Sequence, residues 1–325
     1  MSAAGAPATT APTRDTAVVT EPIDDAVDAC LAGLTDRNVI YIPNPGNAGD
    51  SVIAAATFQR LARHGIRHEC PPATRFDSTG RTVIYGGGGN LVGTSTFSYK
   101  TISRVHKRAT RLIILPHTIK RVDGLLAEFD SNVDIFCREQ YTFDYVAQSA
   151  TRARVHLAPD MALGLNVAGL RARSGIGAWP TMASYLTGKL LASHATPTLA
   201  DVQRALRSDR IAQDLLRRTA GSNHLNAFRC DGEATDIALP PDNIDLSIEL
   251  QFGVESPAIA EHCARTLLGV LERFESVSTN RLHVAISAAL ISRRVLFYPN
   301  NYYKCKGVYE YSLRQRFPNV TWMGS

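Results

Sequence analysis

Short apolar runs rich in β-branched residues recur along the first half of the chain, and each halts at glycine, asparagine, proline or a charge. They are VIYIP (Val39 to Pro43), RTVIYGGGGN (Arg81 to Asn90), RLIILPHT (Arg111 to Thr118), VDIFCRE (Val133 to Glu139) and RVHLAPD (Arg154 to Asp160). Runs this short read as buried strands. Helical spacing fills the gaps. NPGNAGDSVIAAATFQRL (Asn44 to Leu61) turns Ile53, Ala56, Phe58 and Leu61 toward a core, and further helices are predicted over Phe97 to Arg108, Gly124 to Asp130 and Gln140 to Ser149. Strands separated by helices predict a parallel sheet covered on both faces, with its ligand edge at the strand carboxyl ends. That rule gathers Asn44, Asn47, Asp50, Gly86 to Asn90 with Gly88 among them, His117, Arg138 and Asp160 on one rim.

The rhythm breaks between about Asn166 and Asn223, where RARSGIGAWP reads as a loop and Thr198 to Arg218 as a helix. It then resumes. Strands are predicted at His224 to Glu233, Ser276 to Ser278, Arg294 to Asn300 and Val320 to Met323, with an edge strand at Asp242 to Leu250. Helices are predicted at Ser256 to Phe274, Arg281 to Ser292 and Val308 to Arg316. The expected class is α/β, with two Rossmann-like lobes facing a cleft. Residues 1–20 are expected to form a disordered tail, 21–165 an N-terminal lobe that opens with a helix at Ile23 to Leu34, 166–222 a bridge and 223–325 a C-terminal lobe.

The 325 residues suffice for two domains, and 45% hydrophobic with 20% charged residues is ordinary globular composition. No apolar run approaches the roughly 20 residues of a membrane span. MSAAGAPATTAPTRDTAVVTEP has neither the basic start nor the apolar segment of a secretion signal, so a cytoplasmic protein is expected. Six cysteines without a CxxC pair or close Cys/His spacing predict reduced thiols, neither a zinc site nor a disulfide framework. The formal charge of +5 is carried by dispersed arginines without interleaved aromatics, which excludes a nucleic-acid surface and suits an anionic small substrate or an anionic membrane face.

Three stretches carry candidate chemistry. Backbone N–H groups at a helix start, reached through glycines that lack a Cβ, can receive phosphate or carboxylate, and GNAGD (Gly46 to Asp50) offers such a start. Asp50 there serves as a capping carboxylate, a catalytic one, or both. GGGGNLVG has no GxGxxG frame, and the GxxxxG frame from Gly88 to Gly93 runs into Thr94 rather than lysine, so neither familiar nucleotide motif is present. Its glycines allow a ligand to approach the main chain or allow a tight packed turn. In STNRLHVAISAAL (Ser278 to Leu290), Asn280 or Thr279 is predicted to cap a helix whose first turn holds Arg281 and His283. Cations at that end oppose the helix dipole, and a bound anion gives the placement a purpose. The structural alternative is an interdomain salt bridge from Arg281 and a half-buried His283. Tyr302, Tyr303, Lys304 and Lys306 either close over an anion or form a solvated basic loop.

Taken in order, GNAGD, YGGGGNL (Tyr85 to Leu91), CRE (Cys137 to Glu139), APD (Ala158 to Asp160) and NRLH (Asn280 to His283) resemble the landmarks of the polysaccharide pyruvyltransferase family, over most of the chain from Val39 onward. The resemblance implies a fold similar to the two-lobed GT-B glycosyltransferases, with the acceptor on the N-terminal lobe and the donor on the C-terminal one. The implied reaction moves pyruvate from phosphoenolpyruvate to a sugar of a cell-surface polysaccharide or its lipid-linked precursor, forming a ketal and releasing phosphate. By the same resemblance Arg138, Arg281 and His283 bind the donor. His283 is the first choice of acid and Asp50 of base, and Asn47, Asp50, Gly88, Asn90, His117 and Asp160 meet the acceptor. The reaction needs neither metal nor cofactor, and a lipid carrier would be met peripherally at the inner face of the membrane. Substrates entering separate lobes imply closure of one lobe on the other. Two other readings are a GT-B glycosyltransferase using a nucleotide sugar and a noncatalytic protein that binds an anionic metabolite.

Overall fold

The structure is a computed structural model that describes residues 25–73, 75–172 and 199–324. β1 (Asn38–Ile42), β2 (Arg67–Glu69), β3 (Thr82–Tyr85), β4 (Gly88–Leu91), β5 (Arg111–Ile119), β6 (Val133–Cys137) and β7 (Arg154–Leu157) make a seven-stranded sheet of order β2-β1-β3-β5-β6-β7. β4 continues the track of β3 along β5: Thr82 to Tyr85 pair with Arg111 to Ile114, then Gly88 pairs with His117. β8 (His224–Asn226), β9 (Ser276–Thr279), β10 (Arg294–Phe297) and β11 (Val320–Trp322) make a four-stranded sheet of order β11-β10-β9-β8. Every pairing in both sheets is parallel. This is the α/β architecture with two Rossmann-like parallel sheets that the alternation demanded.

The helices are α1 (Ala26–Ala32), α2 (Ala48–Arg63), α3 (Phe97–Val105), α4 (Asp123–Glu128), α5 (Gln140–Ser149), α6 (Val167–Ala172), α7 (Leu199–Arg218), α8 (Leu246–Glu249), α9 (Pro257–Leu271), α10 (Leu282–Leu290) and α11 (Lys304–Val308). α2 begins at Asn47 in a capping box with Asp50, and α9 at Ser256 with Pro257 in its first turn, both standard ways of satisfying orphan N–H groups. One apolar core runs from Val27 and Val39 through Val52 and Leu61 of α2, across Leu267 of α9 and Ile286 of α10, to Val295 and Phe297 of β10. α2 therefore joins the two sheets. A second core, with Ile42, Tyr85, Ile102, Ile114 and Phe129, fills the opposite face of the larger sheet. Among the described residues no helix is long and apolar enough to cross a membrane.

Several elements differ from the sequence expectation for local reasons. β5 runs through Pro116 and His117 to Ile119, because the ladder shifts register around the proline, which lacks an N–H, and resumes at His117. The strand predicted over His224 to Glu233 stops at Asn226, since the N–H groups of Phe228 and Arg229 donate to the Asn243 and Asn280 side chains. Asp242 to Leu250 is not an edge strand: Ile244 N donates to Asn226 O, and the chain then turns into α8. The last helix starts at Lys304 and loosens into a π turn at Tyr309–Leu313. β2 carried no expectation. The tail at residues 1–20 and RARSGIGAWP from residue 173 onward lie outside the described residues.

The shared core makes a stability prediction. Leu267 is fully buried, and Leu267→Ala is expected to lower unfolding stability by about 2–5 kcal/mol. Urea unfolding followed by circular dichroism measures it, and a single transition is expected because both sheets lean on the same core.

Candidate active site

The carboxyl ends of both sheets face one another across a cavity of about 210 Å³. Asn47, Asp50, Gly89, Asn90 and Arg138 line it from the larger sheet, and Arg229, Glu233, Ser247, Arg281, His283 and Lys304 from the smaller. Strand order in the larger sheet reverses at β1, which lies between β2 and β3. The chain after β1 and the chain after β3 leave in opposite directions there, opening the crevice in which parallel sheets bind ligands.

Behind the cavity wall lies Asp160, just beyond β7 and 1% exposed. Its Oδ2 accepts from Arg138 Nη1 at 2.7 Å and lies 3.4 Å from His283 Nε2, while Oδ1 accepts from Ala162 N at 2.9 Å. Burial works to raise its pKa, but His283, Arg138 and these hydrogen bonds outweigh it and hold the carboxyl well below the usual range. Arg138 also donates Nε to Thr118 Oγ1 at 2.9 Å, and Thr118 donates to Glu139 Oε2 at 3.2 Å. Burial pushes Glu139 up to about 7 against the pull of Arg138.

Asp50 performs the expected capping task, closing the capping box with Asn47. Its carboxylate accepts from Asn47 N at 2.9 Å and from Asn44 Nδ2 at 3.3 Å, and it also faces the cavity. Burial raises its pKa, opposed by His283 and by the bond from Asn47. The glycines beside these groups admit side chains. A Cβ on Gly49 would lie 2.5 Å from His283 Nδ1, and one on Gly89 would lie 2.6 Å from Arg138 Nη2.

Arg281 is the N-terminal flanking residue of α10 and makes no side-chain cap; of the two expected caps, Thr279 accepts through Oγ1 from Arg281 N at 2.9 Å, while Asn280 Oδ1 is taken by Arg229 N. The Arg281 guanidinium donates Nε to Asp245 at 2.9 Å, pairs through Nη2 with the same carboxylate and lies 2.8 Å from Asp231. The ion pair expected as the structural alternative thus exists, but inside the smaller sheet's own loops; His283, reaching Asp160, is the residue that crosses. Arg229 holds Asp231 at 2.7 Å and pairs with Glu233, which also pairs with Lys304. Lys304 is 9% exposed and lines the cavity, so the solvated-loop alternative does not describe it.

The expected site residues thus divide. Asn47, Asp50, Asn90, Arg138, Arg281 and His283 meet at the cavity. Gly88, His117 and Asp160 stand behind its wall. Gly88 packs against Asn44 in the ladder. His117 is completely buried because β5 carries it inside the sheet, and burial, reinforced by Arg138, lowers its pKa to about 3. Asp160 orients Arg138 and His283, and in this structure it presents nothing to an acceptor. Arg229, Glu233 and Ser247 were missed. Arg229 and Glu233 obey the same strand-end rule once β8 is ended at Asn226; Ser247 carried no signal.

A sequence model described as polysaccharide pyruvyl transferase matches residues 47–302. Among solved structures, the chain is similar to the functionally uncharacterized protein KP1_0663 from Klebsiella pneumoniae subsp. pneumoniae NTUH-K2044, with a TM-score of 0.68 and 28% identity over 92% of this chain and 97% of that one. No curated protein matches the chain.

Two outcomes follow from the geometry. Gly49→Ala is expected to cost about 1–3 kcal/mol through overpacking. It should also move the imidazole resonances of His283, whereas Gly124→Ala, with nothing within 4 Å of the new Cβ, should leave them in place. The second concerns pH. Glu139 titrates near 7 in the fold against an ordinary 4.5, so the native state holds more protons between those values. Its contribution to stability is full below about pH 4.5 and is lost as pH rises through 7. Asp50, also raised, acts in the same sense. Glu139→Gln should make the fall in melting temperature from pH 5 to pH 7.5 shallower than in wild type.

Proposed function

The chain belongs to the polysaccharide pyruvyl transferase family, a membership that supports pyruvyl transfer onto polysaccharide, and from this premise we propose that its donor is phosphoenolpyruvate and its product a pyruvate ketal. The acceptor in this reading is a sugar of a cell-surface polysaccharide or of its lipid-linked precursor, met at the inner face of the membrane. The observation that carries the reading is a small cavity with Arg138 on one side and Arg229, Arg281 and Lys304 on the other. Phosphoenolpyruvate carries a phosphate and a carboxylate on three carbons, and arginine forks suit both groups. At about 210 Å³ the cavity is smaller than the roughly 300–1,000 Å³ of clefts that take drug-sized ligands, which favours this donor over a nucleotide sugar.

In the proposed reaction His283 delivers a proton to the methylene carbon of the donor, and Asp160 behind the ring orients the imidazole and stabilises its charged form. The adjacent carbon becomes electrophilic and is attacked by an acceptor hydroxyl, whose proton passes to Asp50. A carboxylate whose pKa is raised by burial is a better base for that step. Phosphate leaves with its bonding electron pair, and a second hydroxyl closes the ketal. Of the two hydroxyl protons, one balances the proton placed on carbon and the other leaves with phosphate. Asn47 and Asn90 on the opposite wall hydrogen-bond the sugar.

Purified protein is expected to bind phosphoenolpyruvate saturably and to release phosphate when an acceptor glycan is supplied. Arg138→Ala should weaken donor binding by about 30-fold or more, because it removes a buried charged partner and strands Asp160. His283→Asn should retain binding and lose turnover. Nucleotide release from a nucleotide sugar, with no binding of phosphoenolpyruvate by folded wild type, would overturn the reading.

A further inference from the structure

The smaller sheet's side of the cavity already contains an anion. Glu233, in the loop after β8, accepts from Arg229 Nη1 and Lys304 Nζ and lies 3.4 Å from the Tyr302 hydroxyl. Two cations and a hydroxyl converging on one carboxylate are the arrangement expected around a bound phosphate or carboxylate. Arg229, Lys304 and Glu233 all line the cavity. The same loop supplies Asp231 and Asp245 to Arg281 and Asp231 to Arg229, but neither of those carboxylates lines the cavity. Glu233 alone of the three faces the ligand space.

Buried cations require a counter-charge. Lys304 is almost fully buried, and burial lowers its pKa, with Glu233 the first opposing influence. An ionised phosphate entering beside Glu233 would meet a like charge in a low-dielectric space.

We propose that Glu233 is a resident counter-anion which holds Arg229, Lys304 and Tyr302 as a preformed anion subsite and is displaced, with its loop, by the incoming phosphate or carboxylate. The inference rests on the reading that an anionic donor enters this cavity. The moving part is the stretch 231–239 of the loop between β8 and α8: the loop's ends are anchored by Ala227 and Ile244 in the apolar core, and the stretch between them is held by polar contacts such as Asn301 N to Glu233 O at 3.3 Å and Asn301 Nδ2 to Gly232 O at 2.9 Å. Glu233 thereby sets donor affinity: the ligand gains the subsite's cations only after breaking their pairs with the protein.

The test uses the whole chain, with inorganic phosphate and phosphoenolpyruvate titrated separately into wild type and Glu233→Gln by calorimetry. Backbone hydrogen exchange over residues 231–239 is followed in wild type with and without each anion. Glu233→Gln is expected to bind phosphate about tenfold more tightly, since the competing charged hydrogen bonds are gone. Exchange over residues 231–239 in wild type is expected to speed up when phosphate binds. Equal or weaker phosphate binding by the variant overturns the inference. So does tighter binding with unchanged or slower loop exchange in wild type, because that outcome reports removal of repulsion without displacement. Should Glu233→Gln fail to fold, the wild-type exchange measurement decides alone. Tighter phosphate binding with faster exchange, but no binding of phosphoenolpyruvate, leaves this inference standing and overturns the donor reading.

Discussion

A single buried carboxylate, Asp160, constrains the geometry of the whole site. It receives Arg138 from the end of β6 and His283 from α10, so its two partners come from different sheets. Taking a charge out of water costs several kcal/mol per ion, roughly, and mutual attraction repays it only when the geometry is good. Both sheets must therefore present their partners at fixed positions, or the charge is stranded. Such a pair adds little net stability over an apolar contact of the same volume. Its effect here is orientational: the guanidinium plane and the imidazole ring are set against the same cavity. Thr118 extends the constraint, taking a hydrogen bond from Arg138 and passing one to Glu139.

The glycines of GNAGD and GGGGN serve that same constraint. Read from sequence, they allowed close approach of a ligand or a tight packed turn. In the structure Gly49 makes room for the His283 ring, and Gly89 for the Arg138 guanidinium. The close approach is real, but the groups admitted belong to the protein and are those that face the cavity. GNAGD thus encodes the docking of α10 on α2, and GGGGN the seating of Arg138 within the larger sheet, as much as a loop around a ligand.

How much was legible depends on what each residue's position depends on. Strand identity and the carboxyl-end rule follow from hydrophobic pattern alone, and that pattern suffices to gather Asn47, Asp50, Asn90 and Arg138, while Arg281 and His283 are reached from their place at a helix start. Strand ends were harder. A ladder stepping past Pro116 drew His117 into the sheet, and two asparagine side chains ended β8 early and turned Arg229 and Glu233 to the cavity. The early end of β8 rests on partners 15 and 51 residues away, Asn243 and Asn280, which no local pattern records. Nor does a sequence say which cation is already paired. Arg281 and Arg138 look alike in a motif, yet Arg281 faces Asp231 and Asp245 while Arg138 is anchored from behind by Asp160 with Nη2 against Gly89.

The continuity of the core decides which parts can move to admit a ligand. A hinge between the sheets would have to separate α2 from α9 and α10, exposing side chains such as Val52, Leu267 and Ile286 that are buried in one cluster. At about 25 cal/mol per Å² of apolar surface, even a few hundred Å² exposed would consume several kcal/mol. Closure of one lobe on the other is therefore the costlier route. The loop between β8 and α8, anchored at its ends by Ala227 and Ile244 in that core, is held differently between them. Its side chains Asp231, Glu233 and Asp245 are bound through charge pairs with cavity cations, and an entering anion can replace those interactions like for like. A rigid apolar seam beside an exchangeable polar one keeps His283 and Arg138 in register while the ligand space opens, so orientation is preserved where the proposed chemistry needs it and mobility is confined to the carboxylates standing in the ligand's place.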